Sequence, residues 1–420
     1  MPMSPGFQTR LTPILKDVAN HYKTPFHIYD EKGIRETGAL FKKAFSGIDG
    51  FREFYAVKAL PNVSVLSIMK DMGFGFDASS TAEVLLSRMT GAGPMDIMFT
   101  SNNTSDEEFA VAMADGGAII NLDDISFLDK LKTIPELICF RYNPGNKRTG
   151  NDIIGVPVKA KYGLSDDQIV AAYDKAKKLG ATRFGLHTML ASNELNYTYM
   201  VETAKMLLEL MERIHESTGI AFEFINIGGG FGIPYRPDVP ALDIMAMGRE
   251  ITDLFTAFKN KNGYAPRLFT ESGRYVTGPH GALVTTAINH KDIYRYYVGV
   301  DACMSSLMRP GMYGAYHHIT VHGKTADKNG TRVVDVVGAL CENNDKFAEE
   351  RMLPVIEEGD LLVIHDTGAH GHAMGFNYNG RLRPKELLLK EDGSVELIRR
   401  EETLKDHFAT LTFEADVFKP

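Results

Sequence analysis

A (β/α)8 barrel followed by a mainly β domain is the fold that this 420-residue sequence predicts. Three observations predict it. Between about residues 50 and 275, eight short runs of β-branched and aromatic residues alternate with longer amphipathic stretches, as parallel strands alternate with crossover helices. Near residue 278 the pattern changes to strand-like runs separated by turn signals. The alternative, an open doubly wound sheet, usually has fewer strands and a glycine-rich dinucleotide fingerprint after the first; the fingerprint is missing here.

The eight runs are EFYAVKA (53–59), GFDAS (75–79), DIMFT (96–100), AIINLDD (118–124), LICFRYN (137–143), RFGLHTM (183–189), EFINIGG (223–229) and RLFTES (267–272). Between them lie helix signals. TAEVLLSRMTG follows Ser80, and Ser80 and Glu83 have capping-box spacing. YTYMVETAKMLLELMERIHESTG carries apolar residues three and four apart and ends in glycine. Further on, runs at 281–301, 315–324, 331–341 and 359–368 read as strands. The expected domains are 26–278, and 279–420 joined by residues 1–25 as a β-sandwich or barrel-like unit.

Composition narrows the class. A chain 44% hydrophobic and 24% charged is an ordinary globular protein, and a net charge of -8 without a basic tract argues against nucleic acid as a partner. The apolar runs are far too short to span a bilayer, and MPMSPGFQTR lacks the apolar core of a signal peptide. Cys139, Cys303 and Cys341 are widely spaced with no CxxC pair, which fits reduced thiols and a cytoplasmic location. His365, His370 and His372 crowd HDTGAHGH; Asp366 is the one carboxylate in that stretch and it holds no cysteine, and no metal is expected.

Barrel chemistry gathers at the carboxyl ends of the strands. Lys58 ends strand one, Asp77 strand two, and His187 lies near the end of strand six. GGGFG (228–232) follows strand seven; Glu271 and SGR (272–274) follow strand eight. An ammonium in the apolar run FREFYAVKAL is costly to bury unless paired or deprotonated; the bland reading is a snorkelling strand-end lysine. GGGFG alone reads as a tight loop. With Arg274 after the next strand it reads as an oxyanion site, since glycines bare the backbone N–H groups and arginine offers a fork. No GxxxxGK[ST] is present, which disfavours a nucleoside triphosphate. A buried lysine facing a phosphate site points to pyridoxal 5'-phosphate, whose aldehyde forms a Schiff base with a lysine amine. Glu271 is placed to hold its pyridine nitrogen protonated. Alanine racemases, which share this barrel type, carry an arginine there; a glutamate makes a stronger electron sink and points to decarboxylation.

These residues resemble those of the fold-type III pyridoxal-phosphate decarboxylases, most closely the diaminopimelate decarboxylases, over about residues 25 to 400. YAVKAL resembles the Schiff-base strand, GFDASSTAEV the second strand and its helix, and INIGGGFG and ESGR the phosphate and ring-nitrogen motifs. DACMSSLMRPGMYGAYH resembles the substrate-carboxylate motif, CENNDKF the CESxD motif, and GAHGHAMGFNYNGRLRP the pattern GAYxxxMxSxYNxRxRP. The resemblance implies that Lys58 anchors the cofactor, Asp77 sits beside it and His187 stacks on its ring. Gly229, Gly230 and Arg274 would hold the phosphate, and Glu271 the ring nitrogen. Arg309 and Tyr313 would bind the substrate's distal carboxylate. Cys341 and Glu342 would come from the neighbouring subunit of a homodimer, Glu342 near the distal amine, and the proton delivered to Cα would come from Cys341, Lys58 or a water. Read without the resemblance, Cys341 is either a core thiol, the default for a lone cysteine, or a functional residue beside the turn ENND, and Asp301 is a turn residue or a site residue.

Three departures bear on the site. HTMLASN replaces HIGSQ after strand six, which displaces the phosphate serine to Ser192. His370 stands where the family has the tyrosine of GAY, and Ser272 where it has the proline of EPGR. The implied activity is decarboxylation of meso-diaminopimelate to L-lysine. The alternatives are a decarboxylase of D-ornithine, D-lysine or L-ornithine, a racemase, which Glu271 disfavours, and a cofactor-free regulatory homologue, which Lys58 disfavours.

Overall fold

Eight parallel strands close into a barrel in the computed structural model, which describes residues 2–149 and 155–412. After a first strand β1 (Phe26–Asp30), the barrel strands are β2 (Arg52–Ala56), β3 (Gly75–Ala78), β4 (Ile97–Ser101) and β5 (Ile119–Leu122). They continue with β6 (Leu137–Arg141), β7 (Arg183–His187), β8 (Phe224–Asn226) and β9 (Arg267–Thr270). Pairing of Arg52 with Phe269 and of Glu53 with Thr270 closes the ring. Alternation along each strand supplies two cores. Phe54, Met98, Ile119, Leu137, Cys139, Phe224 and Phe269 fill the barrel's interior. The opposite faces pack against the helices, with Phe99, Ile120, Phe140, Leu186 and Ile225 in that outer core.

The helices follow their sequence signals. Thr81–Met89 starts on Ser80, whose side chain accepts from the Glu83 N–H at 3.4 Å; Glu83 reaches back to the N–H of Ser79 at 2.6 Å. Tyr197–Thr218 buries Met200, Ala204, Leu207, Met211 and Ile214 and stops at Gly219, whose φ of 69° is a left-handed C-cap.

The chain divides into two compact units: Lys32–Gly278, and Pro2–Glu31 with the residues from Pro279 onward. The boundary read at residue 26 differs, because β1 is a strand of the second unit. It pairs antiparallel with β10 (Gly281–Asp292) and parallel with β16 (Lys385–Leu389). The other strands of this nine-stranded sheet are β11 (Tyr296–Val300), β12 (Ile319–Val321), β13 (Thr331–Val337), β14 (Lys346–Pro354), β15 (Leu361–Ile364) and β17 (Val395–Arg399). Strand β10 changes partners at a bulge between Ala287 and Asn289, from β1 and β15 to β11. Helices Pro5–Leu11 and Leu15–Tyr22 bury Phe7, Leu11, Leu15 and Val18 with Phe26, Ile28 and Leu387. Asp301 is a staple of this unit, accepting from the Thr285 hydroxyl at 2.6 Å and the Thr286 N–H at 3.0 Å.

Candidate active site

Strand β2 ends at Ala56, and Val57–Ala59 form one 3₁₀ turn beyond it. Lys58 therefore sits on a turn, where a strand to residue 59 was expected. Its side chain is 49% exposed, which corrects the buried lysine that its apolar flanks predict. Lys58 Nζ donates to Asp77 Oδ2 at 2.9 Å. Desolvation pulls the ammonium's pKa down, but the Asp77 carboxylate outweighs it and the pKa stays above the usual lysine value. Asp77 is buried; desolvation and then the Glu271 charge push it up to about 6, against the pull of Lys58.

Glu271 follows β9 directly and is buried. Its Oε1 accepts from Asn226 Nδ2 at 2.7 Å, and Oε2 lies 3.2 Å from His187 Nε2. Burial works against its charge, yet His187, Lys58 and Arg141 more than offset that and hold it below the usual glutamate value. Asn121 Nδ2 donates to His187 Nδ1 at 2.8 Å, so the ring presents its Nε2 proton to Glu271. Glu271, His187, Asn121 and Asn226 thus form one hydrogen-bonded network that fixes the carboxylate.

The loop after β8 is bare backbone. A Cβ on Gly229 would meet the Glu271 carbonyl oxygen, and one on Gly230 the Ala191 carbonyl oxygen, both well inside contact distance. The Gly229 N–H reaches only the Met189 thioether, at 3.2 Å, a weak acceptor. Arg274 is buried beside this loop; it donates to the Tyr235 hydroxyl and lies 3.5 Å from Ser192 Oγ.

Lys58, Asp77, His187, Ser192, Gly229, Gly230, Glu271 and Arg274 all fall in the barrel unit, in the contacts just given. Arg309, Tyr313, Cys341, Glu342 and His370 fall in the second unit. There Arg309 is buried and donates to His317 Nε2 at 2.7 Å, while His317 Nδ1 donates to the His365 carbonyl at 2.7 Å. Tyr313 and Cys341 are exposed. The Asp345 carboxylate accepts from the Met304 and Leu340 N–H groups at 2.6 and 2.7 Å and shapes the turn that carries Cys341 and Glu342. His370 adopts a left-handed φ of 56°.

Sequence reading missed Asn121, Arg141, Asn226, Tyr235 and Glu53. The cue for Arg141 was the one that singled out Lys58: a charge closing an apolar strand. It is buried at the end of β6, over the Tyr162 ring at 4.4 Å. The asparagines interrupt the apolar runs of β5 and β8.

Comparison with known proteins agrees with this geometry. A family model described as pyridoxal-dependent decarboxylase, pyridoxal binding domain, matches residues 31–278. Diaminopimelate decarboxylase of Methanothermobacter thermautotrophicus is 39% identical, covering 93% of this chain and 92% of its own. Protein TabA of Pseudomonas amygdali pv. tabaci is 46% identical, covering 100% and 99%. The crystal structure of diaminopimelate decarboxylase from M. jannaschii superposes with a TM-score of 0.88 at 30% identity, covering 96% and 95%.

The residues present fit pyridoxal phosphate. A lysine amine, a carboxylate kept ionised for a ring nitrogen, and a side-chain-free loop beside a buried arginine are the donor set that its aldehyde, pyridine and phosphate need. Barrel, family match and donor set meet in one conclusion: the chain belongs to the pyridoxal-dependent decarboxylase family, and its cofactor is pyridoxal phosphate.

Proposed function

We propose that this chain removes one carboxylate of meso-diaminopimelate as carbon dioxide and yields L-lysine. The observation that carries the choice of a diacid is Arg309, a buried guanidinium in the motif RPGMY, with Tyr313 one turn on. Lys58 is the covalent anchor of the cofactor, and Asp77 holds its amine in place. Gly229, Gly230, Ser192 and Arg274 hold the phosphate, and His370 stands at the position of the family's further phosphate contact. Glu271 faces the ring nitrogen as a carboxylate, and His187 fixes that carboxylate and lies against the ring. When bound, the cofactor supplies a sink for the electron pair left at Cα as the carboxylate departs. Cys341 then delivers a proton to Cα, and Glu342 receives the distal amine. Both come from the second subunit of a homodimer. Arg309 and Tyr313 pair the distal carboxylate, which a water-excluding site must neutralise.

A second reading is a decarboxylase of a related amino acid lacking the distal carboxylate. The departures HTMLASN and His370 favour it, as does the 46% relative that bears no diaminopimelate decarboxylase name. Carbon dioxide release measured on meso-diaminopimelate, both lysines and both ornithines separates the two. Losing one partner of a desolvated charge pair costs about 2–5 kcal/mol. Arg309→Ala should therefore lower kcat/KM for meso-diaminopimelate by roughly 30-fold or more, and any activity on lysine or ornithine far less. Faster wild-type turnover of an ornithine or D-lysine would replace the first reading with the second.

A further inference from the structure

Glu53 is an acidic residue on the wall of the barrel, 1% exposed, and none of the roles above uses it. It pairs with Thr270 across the β2–β9 seam. Its Oε2 accepts from the Thr270 hydroxyl, and its Oε1 accepts from the Ser272 N–H at 2.5 Å. The two residues it grips are the immediate neighbours of Glu271. The far side of the same turn is closed by Gly229, whose missing side chain lets the loop lie against the Glu271 carbonyl.

Ser272 occupies the position of the family's proline. Proline has no N–H and would pin φ near −65°. A serine there releases that constraint and exposes a donor inside the protein, which costs about 1–3 kcal/mol if left unpaired. Glu53 removes that cost and restores the constraint by a different route. Burial pushes its carboxyl well above the usual glutamate range, with Thr270 and Ser272 pulling the other way, so a neutral amide is a close substitute for it.

We propose that Glu53 is a positioning residue: its clasp on Thr270 and Ser272 replaces the family's proline and fixes the direction in which Glu271 presents its carboxylate. This rests on Glu271 facing the cofactor ring. A misplacement of about 1 Å at such a contact costs up to roughly 100-fold in rate.

The test uses the cofactor-loaded enzyme and three variants. Glu53→Leu should lower kcat at least about tenfold with little change in KM, and should shift the visible absorbance of the bound cofactor. Glu53→Gln, which keeps the acceptor for the Ser272 N–H and reverses the Thr270 contact so that the amide donates to the hydroxyl oxygen, should stay close to wild type in both. Glu53→Leu with Ser272→Pro removes acceptor and donor together and should recover most of the kcat and the wild-type absorbance. Glu53→Leu with a lower melting temperature but unchanged kcat and absorbance would reduce Glu53 to a purely structural role. Failure of the added proline to restore kcat in a folded double variant would overturn the replacement. The spectral readout keeps the two hypotheses apart: a wild type inactive on every amino acid tried refutes the proposed function, while the absorbance of the variants still reports the clasp.

Discussion

A lysine that is half exposed and paired with a buried aspartate serves a different end from one buried for stability. The hydrogen bond to Asp77 holds the Lys58 amine as an ammonium at the barrel rim, so in the proposed anchor role it must first give up that proton to attack an aldehyde. Lys58→Ala should abolish turnover, and borohydride reduction of the loaded wild type should place the label on Lys58 in peptide maps; label on another lysine would refute the assignment. Glu271 is held by Asn226 and His187, which fix the position of its carboxylate. Glu271→Gln should keep the cofactor bound and slow decarboxylation by about 100-fold, the scale of an electrostatic contact made mainly in the transition state. An unchanged rate would remove the main argument against a racemase-like reaction.

Among the elements, the loop after β8 shows most directly why glycine is needed. Gly230 has a φ of 91° and lies against the Ala191 carbonyl, so an added Cβ meets both backbone strain and a clash with backbone that cannot swing away. Strain at such a position is worth about 1–3 kcal/mol. Gly230→Ala should weaken pyridoxal phosphate binding at least about tenfold, measured as cofactor dissociation from the purified protein. Binding within twofold of wild type would show that this loop does not carry the phosphate. Element boundaries show where sequence reading stopped. All eight barrel strands were legible as apolar runs; an α-helix lies in each connection between them except that from β5 to β6, where Ile125–Lys130 form a 3₁₀ stretch in place of the expected helix. In the second unit β14 and β17 were not. They end the path of paired strands, and KFAEERMLP and VELIR carry the charges that an edge strand tolerates with one side open. KELLL of β16 is too short an apolar run to declare itself.

For the whole molecule, acid should act first through buried histidines of the second unit. Burial, the largest cause in each, lowers His27, His280 and His365 to about 3 and His372 to about 4. Their unfolded values lie near 6.5. The unfolded chain therefore binds more protons below about pH 6.5, and the stability these groups contribute is complete above that pH and lost as it falls toward 4. Asp366, raised to about 7 by burial, works in the opposite sense. Asp77, raised to about 6, and Glu53, Asp123 and Asp345, also raised by burial, act with Asp366, so the histidines' share, and not the whole profile, is what predicts a melting temperature falling from pH 7 to pH 4.5. A histidine share that is flat over that window would show that these rings are hydrated or paired in solution.

By itself the sequence determined the barrel, the cofactor class and the rim residues Lys58, Asp77, His187 and Glu271. Period-two runs, caps and charges at strand ends are local signals, and the barrel rule converts strand ends into one site. Only the tertiary structure decided that β1 joins the second unit, since five apolar residues carry no record of which sheet pairs with them. It alone showed that Lys58 is half exposed and paired with the buried Asp77, because the run of apolar neighbours reports the burial of the backbone and not the partner of a side chain beyond the last ladder bond. The pairing of Glu53 with Ser272 spans 219 residues of chain. No local pattern could supply it, because the hydrogen bond exists only once β2 and β9 have closed the ring.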